Sequence, residues 1–390
     1  MRLVSIAPYR IVPPDTGGRL VIFGPCCAYA KLTEAFLCLA LTTLRDRRSF
    51  DVPFRYREKR AATSLLIAFD RLGLFPKVPY LWSMRGYARR LAQEALAEHP
   101  DVIEVHLPWL APVRRHLPAR LPMVLVTQNV EAVWYGDYIR QRWWPSFFQR
   151  WIERIEAEGV RLADHVICLT PNDRDELVRR YRVPAEKLSV IPPGYEGSAV
   201  RPLPRLDLPA GAIRRGLLVG TRTPSNIDAA RQLVERVAPS CVGRAEFVVA
   251  GTVCEELRGR SLPANVRLKG YVRDLEPLYD EADLFVFPLE MDGIANTKVI
   301  QALARGLPVV STSAGMRGYE DLAGGPIRVA AVAEFARAIE DTRPLTEKDL
   351  EKVRRYEWDE IARRRLRLYQ DLAADRSTYQ SVHNRIDLRM

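Results

Sequence analysis

The sequence predicts an α/β protein built from two Rossmann-like, doubly wound domains. Three observations carry that prediction. Apolar runs of strand length alternate with helical patterns along the whole chain. The runs are nearly continuous in Val, Ile and Leu, as parallel strands covered on both faces are. A length of 390 residues exceeds what one ordinary core holds, so two domains are expected.

The strands follow in order. In the first half they are "LVSIA" (3–7), "DVIEVHL" (101–107), "PMVLVTQ" (122–128), "HVICLT" (165–170) and "LSVIP" (188–192). In the second half they are "GLLVGT" (216–221), "AEFVVAG" (245–251), "NVRLKGY" (265–271), "DLFVFPL" (283–289), "LPVVST" (307–312) and "PIRVAA" (326–331). Between the halves a stretch rich in proline and glycine has no clear period and reads as a linker. The expected division is an N-terminal domain 1–200, a linker 201–215 and a C-terminal domain 216–350. A C-terminal helix 351–376, with "EWDEIARRRLRLYQDLA" apolar at helical spacing, packs back on the body, and a polar tail 377–390 frays.

Composition bounds the partners. With 47% hydrophobic and 27% charged residues the chain is globular rather than disordered. The most apolar stretch, "AFLCLAL" (35–41), is far short of the roughly 20 residues that span a bilayer, and "MRLVSIAPYR" lacks the features of a signal peptide. A cytoplasmic protein is expected. The six cysteines have neither C-x-x-C pairing nor metal-ligand spacing and read as buried small hydrophobes. The net charge of +11 invites nucleic acid, anionic lipid or phosphorylated substrates, although much of it is arginine dispersed among acids on solvated helix faces. No nucleic-acid module is visible, so nucleic acid is not expected.

The chemistry concentrates in "DGIANTKVIQALARGLPVVST" (292–312), which follows a strand end, where doubly wound folds bind ligands. Gly293 lets the backbone approach a ligand. Asn296, Thr297 and the following amides open a helix whose positive end attracts phosphate, and Lys298 adds a mobile ammonium. Together they suit a diphosphate. An ordinary loop-helix junction, capped by Asn296 or Thr297 with Lys298 in solvent, is the plainer account.

In the first half, Gly17 and Gly18 follow the first strand and either offer amides to an anion or make a hairpin-like turn. His106 ends a strand and is either a site histidine or a structural one. Asn129 and Glu131 are polar candidates for the cleft between the domains, with capping as the alternative. The segment "YIRQRWWPSFFQRWIERI" (138–155) mixes aromatics with arginines, which suits an anionic membrane surface or a helix pair packing its aromatics inward.

The chain resembles the GT-B glycosyltransferases of the family 4 type. The donor-helix pattern of that family, a glycine-rich loop, a lysine and "LEAMA-x-G-x-PVV", is matched by "GIANTKVIQALARGLPVVST", preceded by the similar "GYVRDLEPLYDEADLFVFP" (270–288). "PPDTGGR" (13–19) resembles its N-terminal glycine loop and "TQNVE" (127–131) its T-H-N-V-E, with Gln128 in place of the histidine. "ADHVICLTPNDRDELVRRYRVPAEKLSVIPPG" (163–194) and "LLVGTRTPSNIDAARQLVERVAP" (217–239) match further motifs, and "EWDEIARRRLRLY" its closing helix. Each motif is weak alone; their order is specific.

The resemblance implies a retaining transferase that moves a sugar from a nucleotide-diphosphate sugar, UDP-sugars among them, to an acceptor hydroxyl. It implies no metal and no cofactor. The N-terminal domain takes the acceptor and the C-terminal domain the donor. His106 lies near the acceptor sugar, with Asn129 and Glu131 on the acceptor side. Lys298 with Arg222 stabilises the departing phosphate, Asp292, Gly293, Ile294 and Ala295 meet the donor sugar or its phosphates, and Gln301, where the family has glutamate, meets the ribose. The family's second acidic position falls near Gly293. Saccharide, lipid-linked or small-molecule acceptors, as in bacterial polysaccharide or glycolipid synthesis, follow. A non-catalytic binding subunit or a nucleotide-sugar epimerase on the same fold are the rivals.

Overall fold

The computed structural model describes residues 1–42, 50–61, 66, 69–70, 72–74, 76–141, 144–197, 212–291 and 295–387. They divide into two compact units, Met1–Ile191 with Ile361–Met390, and Pro192–Glu360.

The first unit holds a seven-stranded parallel sheet: β1 Arg2–Ala7, β2 Ala35–Thr42, β3 Arg55–Arg60, β4 Val102–His106, β5 Met123–Val126, β6 His165–Cys168 and β7 Leu188–Val190. Its order is β3-β2-β1-β4-β5-β6-β7. The second unit has β8 Arg214–Val219, β9 Ala245–Ala250, β10 Val266–Gly270, β11 Leu284–Phe287, β12 Val309–Ser311 and β13 Ile327–Val329, in the order β10-β9-β8-β11-β12-β13. Both orders step outward from the first strand and then reverse, the Rossmann arrangement, and β4, β5, β6, β11 and β12 are buried along both faces.

Every strand read from the sequence is present. Two more form: β2, whose apolar run fills the sheet interior beside β1 in the register Val4↔Leu37, and β3, "RYREKR", an edge strand. Its arginines and lysine blunt the open edge, where Arg55 meets Glu98 at 2.9 Å and Lys59 meets Glu94 at 2.6 Å.

Among the described residues the α-helices of eight residues or more are α1 Gly17–Leu32, α2 Ala88–Leu96, α3 Glu131–Gln141, α4 Phe147–Leu162, α5 Pro171–Tyr181, α6 Pro224–Gln232, α7 Thr297–Ala304, α8 Glu347–Arg354 and α9 Trp358–Asp387. The expected domain borders shift. Most of the linker 201–215 lies outside the described residues, while Arg214 and Arg215 already belong to β8. The second unit starts at Pro192 because Tyr195 is tied back to its far end: Tyr195 N donates to Tyr356 O and Trp358 N to Tyr195 O, both at 3.0 Å. The segment 351–376 is not one helix; α8 closes before α9 begins. The tail is helical through Asp387, since 374–387 contains neither glycine nor proline to stop it.

From Ile361 onward α9 belongs to the first unit. Arg365 and Tyr369, one turn apart on one face, reach the buried Glu104 of β4: Arg365 Nη1 lies 3.4 Å from Oε2, and the Tyr369 hydroxyl bonds the same oxygen. Ser5, Tyr29 and His106 complete this network at 3.0, 2.9 and 2.8 Å. Burial pushes the Glu104 carboxyl up, but His106, Arg365 and Tyr369 outweigh it and hold it well below the usual carboxylate range.

Candidate functional site

In the second unit the carboxyl ends of β8, β9 and β11 bring the candidate residues together. Gly251, which follows β9, has φ +99°, and a Cβ there would sit 2.2 Å from Gly220 O. The close approach lets Gly220 N bond Ala250 O at 3.0 Å and Gly251 N bond Gly270 O at 2.7 Å. After β8 the turn leads into α6, whose Asn226 is buried and donates through Nδ2 to Thr221 O at 2.9 Å. Two residues on, Asp228 Oδ2 accepts the amides of Glu290 at 2.8 Å and Met291 at 3.1 Å, fixing the backbone just beyond β11.

That backbone leads to α7. Asp292, Gly293 and Ile294 lie outside the described residues. Ala295 and Asn296 are buried, and Asn296 Nδ2 donates to Gly315 O at 3.1 Å, so its side chain ties the helix entry to the segment after β12 rather than capping the helix. Lys298 does not extend into solvent. Its Nζ donates to Asn226 Oδ1 at 2.6 Å and to Asn296 Oδ1 at 3.5 Å, and lies 4.5 Å from the Phe287 ring centroid. Among the described residues no carboxylate pairs with it, and burial brings its ammonium down to about 7. Thr297 opens the helix beside it, and Gln301 stands one turn further along the same face. A positive charge held by neutral amides, at a helix N-terminus beyond a strand end, is built to receive an anion.

Arg222 lies in the turn between β8 and α6. Its side chain is 57% exposed and already paired, with Nε 2.5 Å from Glu256 Oε1 and Nη1 3.7 Å from Glu255. Asn226 was missed as a site residue; its signal was the "PSNID" of the motif at 217–239, whose asparagine and aspartate make the two bridges just described.

In the first unit Gly17 and Gly18 open α1 after Thr16, so no hairpin-like turn forms there. Gly18 O accepts from Gln128 Nε2 at 3.1 Å, and Tyr9 OH donates to Gln128 Oε1 at 3.1 Å, so Gln128 joins the β1 and β5 ends. Glu131 starts α3 and is 3% exposed. Burial, then the neighbouring Glu156 and Asp173, push its carboxyl well up, while Asn129 hydrogen-bonds it. Asn129 Oδ1 is buried without a partner. Glu156 caps α3, accepting the amides of Glu131 at 2.6 Å and Ala132 at 3.0 Å, and burial brings it up to about 7. His106 lies in the interior, because β4 is flanked by β1 and β5: it is fully buried, with Nε2 engaged by Glu104 and Nδ1 without a partner.

Successive Rossmann-order sheets, the second opening a helix with an anion-ready lysine, define a GT-B glycosyltransferase fold. A family model for Glycosyltransferase Family 4 matches residues 48–196, and one for Glycosyl transferases group 1 matches residues 214–342. The chain belongs to this family of group 1 glycosyltransferases. Mannosylfructose-phosphate synthase of Agrobacterium fabrum is 30% identical over 189 residues, 42% of this chain and 41% of that protein, so the chain matches less than half of the relative's length. Among solved structures, sucrose-phosphate synthase from Thermosynechococcus elongatus superposes with a TM-score of 0.70 at 16% identity, covering 96% of this chain and 100% of that one. The Anabaena protein HepE, solved with UDP-glucose, gives 0.59 at 15% identity over 97% and 100%. At these identities the likeness is one of fold.

Proposed function

We propose that the protein transfers a sugar from a nucleotide-diphosphate sugar to an acceptor hydroxyl, with retention of configuration and without a metal. The observation that carries the proposal is Lys298, a desolvated ammonium held by Asn226 and Asn296 with no described carboxylate to neutralise it. A donor diphosphate supplies that missing charge. As the bond to the sugar breaks, negative charge grows on the leaving phosphate, and a cation already in position stabilises it without reorganising. The amides opening α7 act in the same sense. Asp292, Gly293, Ile294 and Ala295 would take the donor sugar or its phosphates, and Gln301 the ribose. Arg222 joins them only by leaving Glu256. Asn129 and Glu131 are the acceptor-side groups, and His106, engaged by Glu104, acts through that network.

UDP-glucose bound to HepE and the sugar-phosphate in the name of the Agrobacterium relative support a nucleotide-sugar donor, UDP-linked by preference, and a saccharide acceptor. Among the described residues no helix is long and apolar enough to cross a membrane. Phe147, Trp151 and Trp82 nevertheless line a groove of about 540 Å³ with Arg150, Arg154 and Glu158, the last paired with Arg85 and Arg115. We assign this face to an anionic membrane at which a lipid-linked acceptor is met from the cytoplasmic side. It serves glycoconjugate synthesis.

The test is to incubate the purified protein with a panel of UDP-, GDP-, ADP- and TDP-sugars, candidate saccharide acceptors and EDTA, following products by NMR. A glycoside with the donor's anomeric configuration is expected. Nucleotide-sugar interconversion would favour an epimerase, and donor binding without product a non-catalytic subunit.

A further inference from the structure

A second pocket, of about 470 Å³, lies in the first unit, lined by Arg161, Arg180, Tyr181, Arg182, Pro184 and Lys187 among others, with no acidic residue in its wall. Its residues precede β6 and β7, at the amino edge of the parallel sheet. Gly18, Gln128 and Asn129 follow β1 and β5, at the carboxyl edge. The pocket is therefore separate from the acceptor-side residues.

Cations at helix C-termini commonly compensate the exposed carbonyls, and both α4 and α5 end here. Three of those carbonyls already have donors. Ala163 N bonds Gly159 O at 3.2 Å, Arg182 N bonds Val178 O at 2.9 Å, and Lys187 Nζ takes Arg161 O at 3.1 Å. The guanidiniums of Arg161 and Arg182 make no hydrogen bond or ion pair with a described residue. Arg182 also holds a left-handed backbone, φ 52°, at a position where glycine or asparagine is favoured. Arg180 is the paired member, to Glu176 and, at 3.7 Å, Glu153. Burial, with Arg161 adding to it and Asp164 opposing, lowers the Lys187 ammonium below its usual range, which an entering anion would reverse.

We propose that this pocket binds a phosphoryl group, either on a free phosphorylated metabolite or on a lipid headgroup, with Arg161 and Arg182 as its two guanidinium contacts and Lys187 as the third cation. Forked guanidiniums match phosphate oxygens. The pocket also has a route to the acceptor side. Tyr181 in its wall donates to Glu156 Oε2 at 2.7 Å, and Glu156 holds the first amides of α3, next to Asn129.

Inorganic diphosphate titrated calorimetrically into wild type, Lys298→Ala and the double variant Arg161→Ser/Arg182→Ser separates this pocket from the donor site; both arginines are exposed, so the double variant folds. A diphosphate site that persists in Lys298→Ala and weakens at least tenfold in the double variant is expected. Phosphatidylglycerol vesicles in the second arm, offered to protein already carrying Arg150→Ser/Arg154→Ser, identify the source: a further loss of vesicle binding when Arg161→Ser/Arg182→Ser is added, with no diphosphate bound in the pocket, assigns the phosphoryl group to a lipid headgroup and upholds the pocket. Wild-type diphosphate affinity in the double variant, together with no further loss of vesicle binding, overturns it.

Discussion

Lys298 is the residue on which the proposed chemistry turns, and its surroundings explain why a lysine is tolerated in so closed a place. Asn226 and Asn296 satisfy two of its donors, and the Phe287 face accepts part of the charge, yet no described carboxylate cancels it. With the free ammonium at about 7 and its ordinary value at 10.5, an anion beside it raises the value again. The bound state then carries more protons than the free state above pH 7, so affinity for a nucleotide sugar falls as pH rises through that window. Calorimetry at pH 8 in buffers of different ionisation enthalpy should show proton uptake on binding; heats independent of buffer would contradict the low ammonium value. The lysine and its helix were legible from the loop that precedes them. Asn226 was not singled out, because it stands 72 residues away and only the fold brings its amide to the ammonium. His106 was readable as a strand-end residue, but its burial against Glu104 depends on β1 and β5 flanking it, a relation between distant segments.

At the scale of elements, the strands with continuous aliphatic runs were legible, since burial on both faces leaves that signature. β3 was not: an edge strand of "RYREKR" has a surface composition and is specified by its pairing with β2 rather than by its own pattern. α4 shows two faces. Phe148, Ile152 and Ile155 are buried, while Phe147 is 48% exposed and Trp151 meets the exposed Trp82 with ring centroids 5.7 Å apart. The inward packing expected for 138–155 is present in α4, which also leaves an aromatic rim. Arg150 and Arg154 flank that rim without an ion pair to a described residue. Each arginine near an anionic surface contributes about 1 kcal/mol. Arg150→Ser/Arg154→Ser should therefore lower co-sedimentation with phosphatidylglycerol vesicles by roughly 30-fold. Unchanged co-sedimentation would remove the membrane from the account.

At the scale of the whole molecule, the ordered string of weak motifs carried the family, and the two sheet orders and two family models agree with it. The border between units was less legible because it rests on the tie of Tyr195 with Tyr356 and Trp358, a pairing across more than 160 residues, and not on the proline-rich stretch. The return of α9 to the first unit rests on Glu104, a buried carboxylate whose partners include Arg365; breaking such a pair leaves an uncompensated charge, at a cost of about 3 to 5 kcal/mol. That anchoring keeps the first unit whole, while the residues proposed for the donor lie in the second. The most direct test of that chemistry is a calorimetric comparison of UDP, GDP, ADP and TDP binding to wild type and to Lys298→Ala, with the variant's fold checked by thermal unfolding. Selective binding of one nucleotide by wild type, at least tenfold weaker in a folded Lys298→Ala, is the predicted result; equal affinity in a folded Lys298→Ala would contradict the assignment of Lys298 to the donor diphosphate.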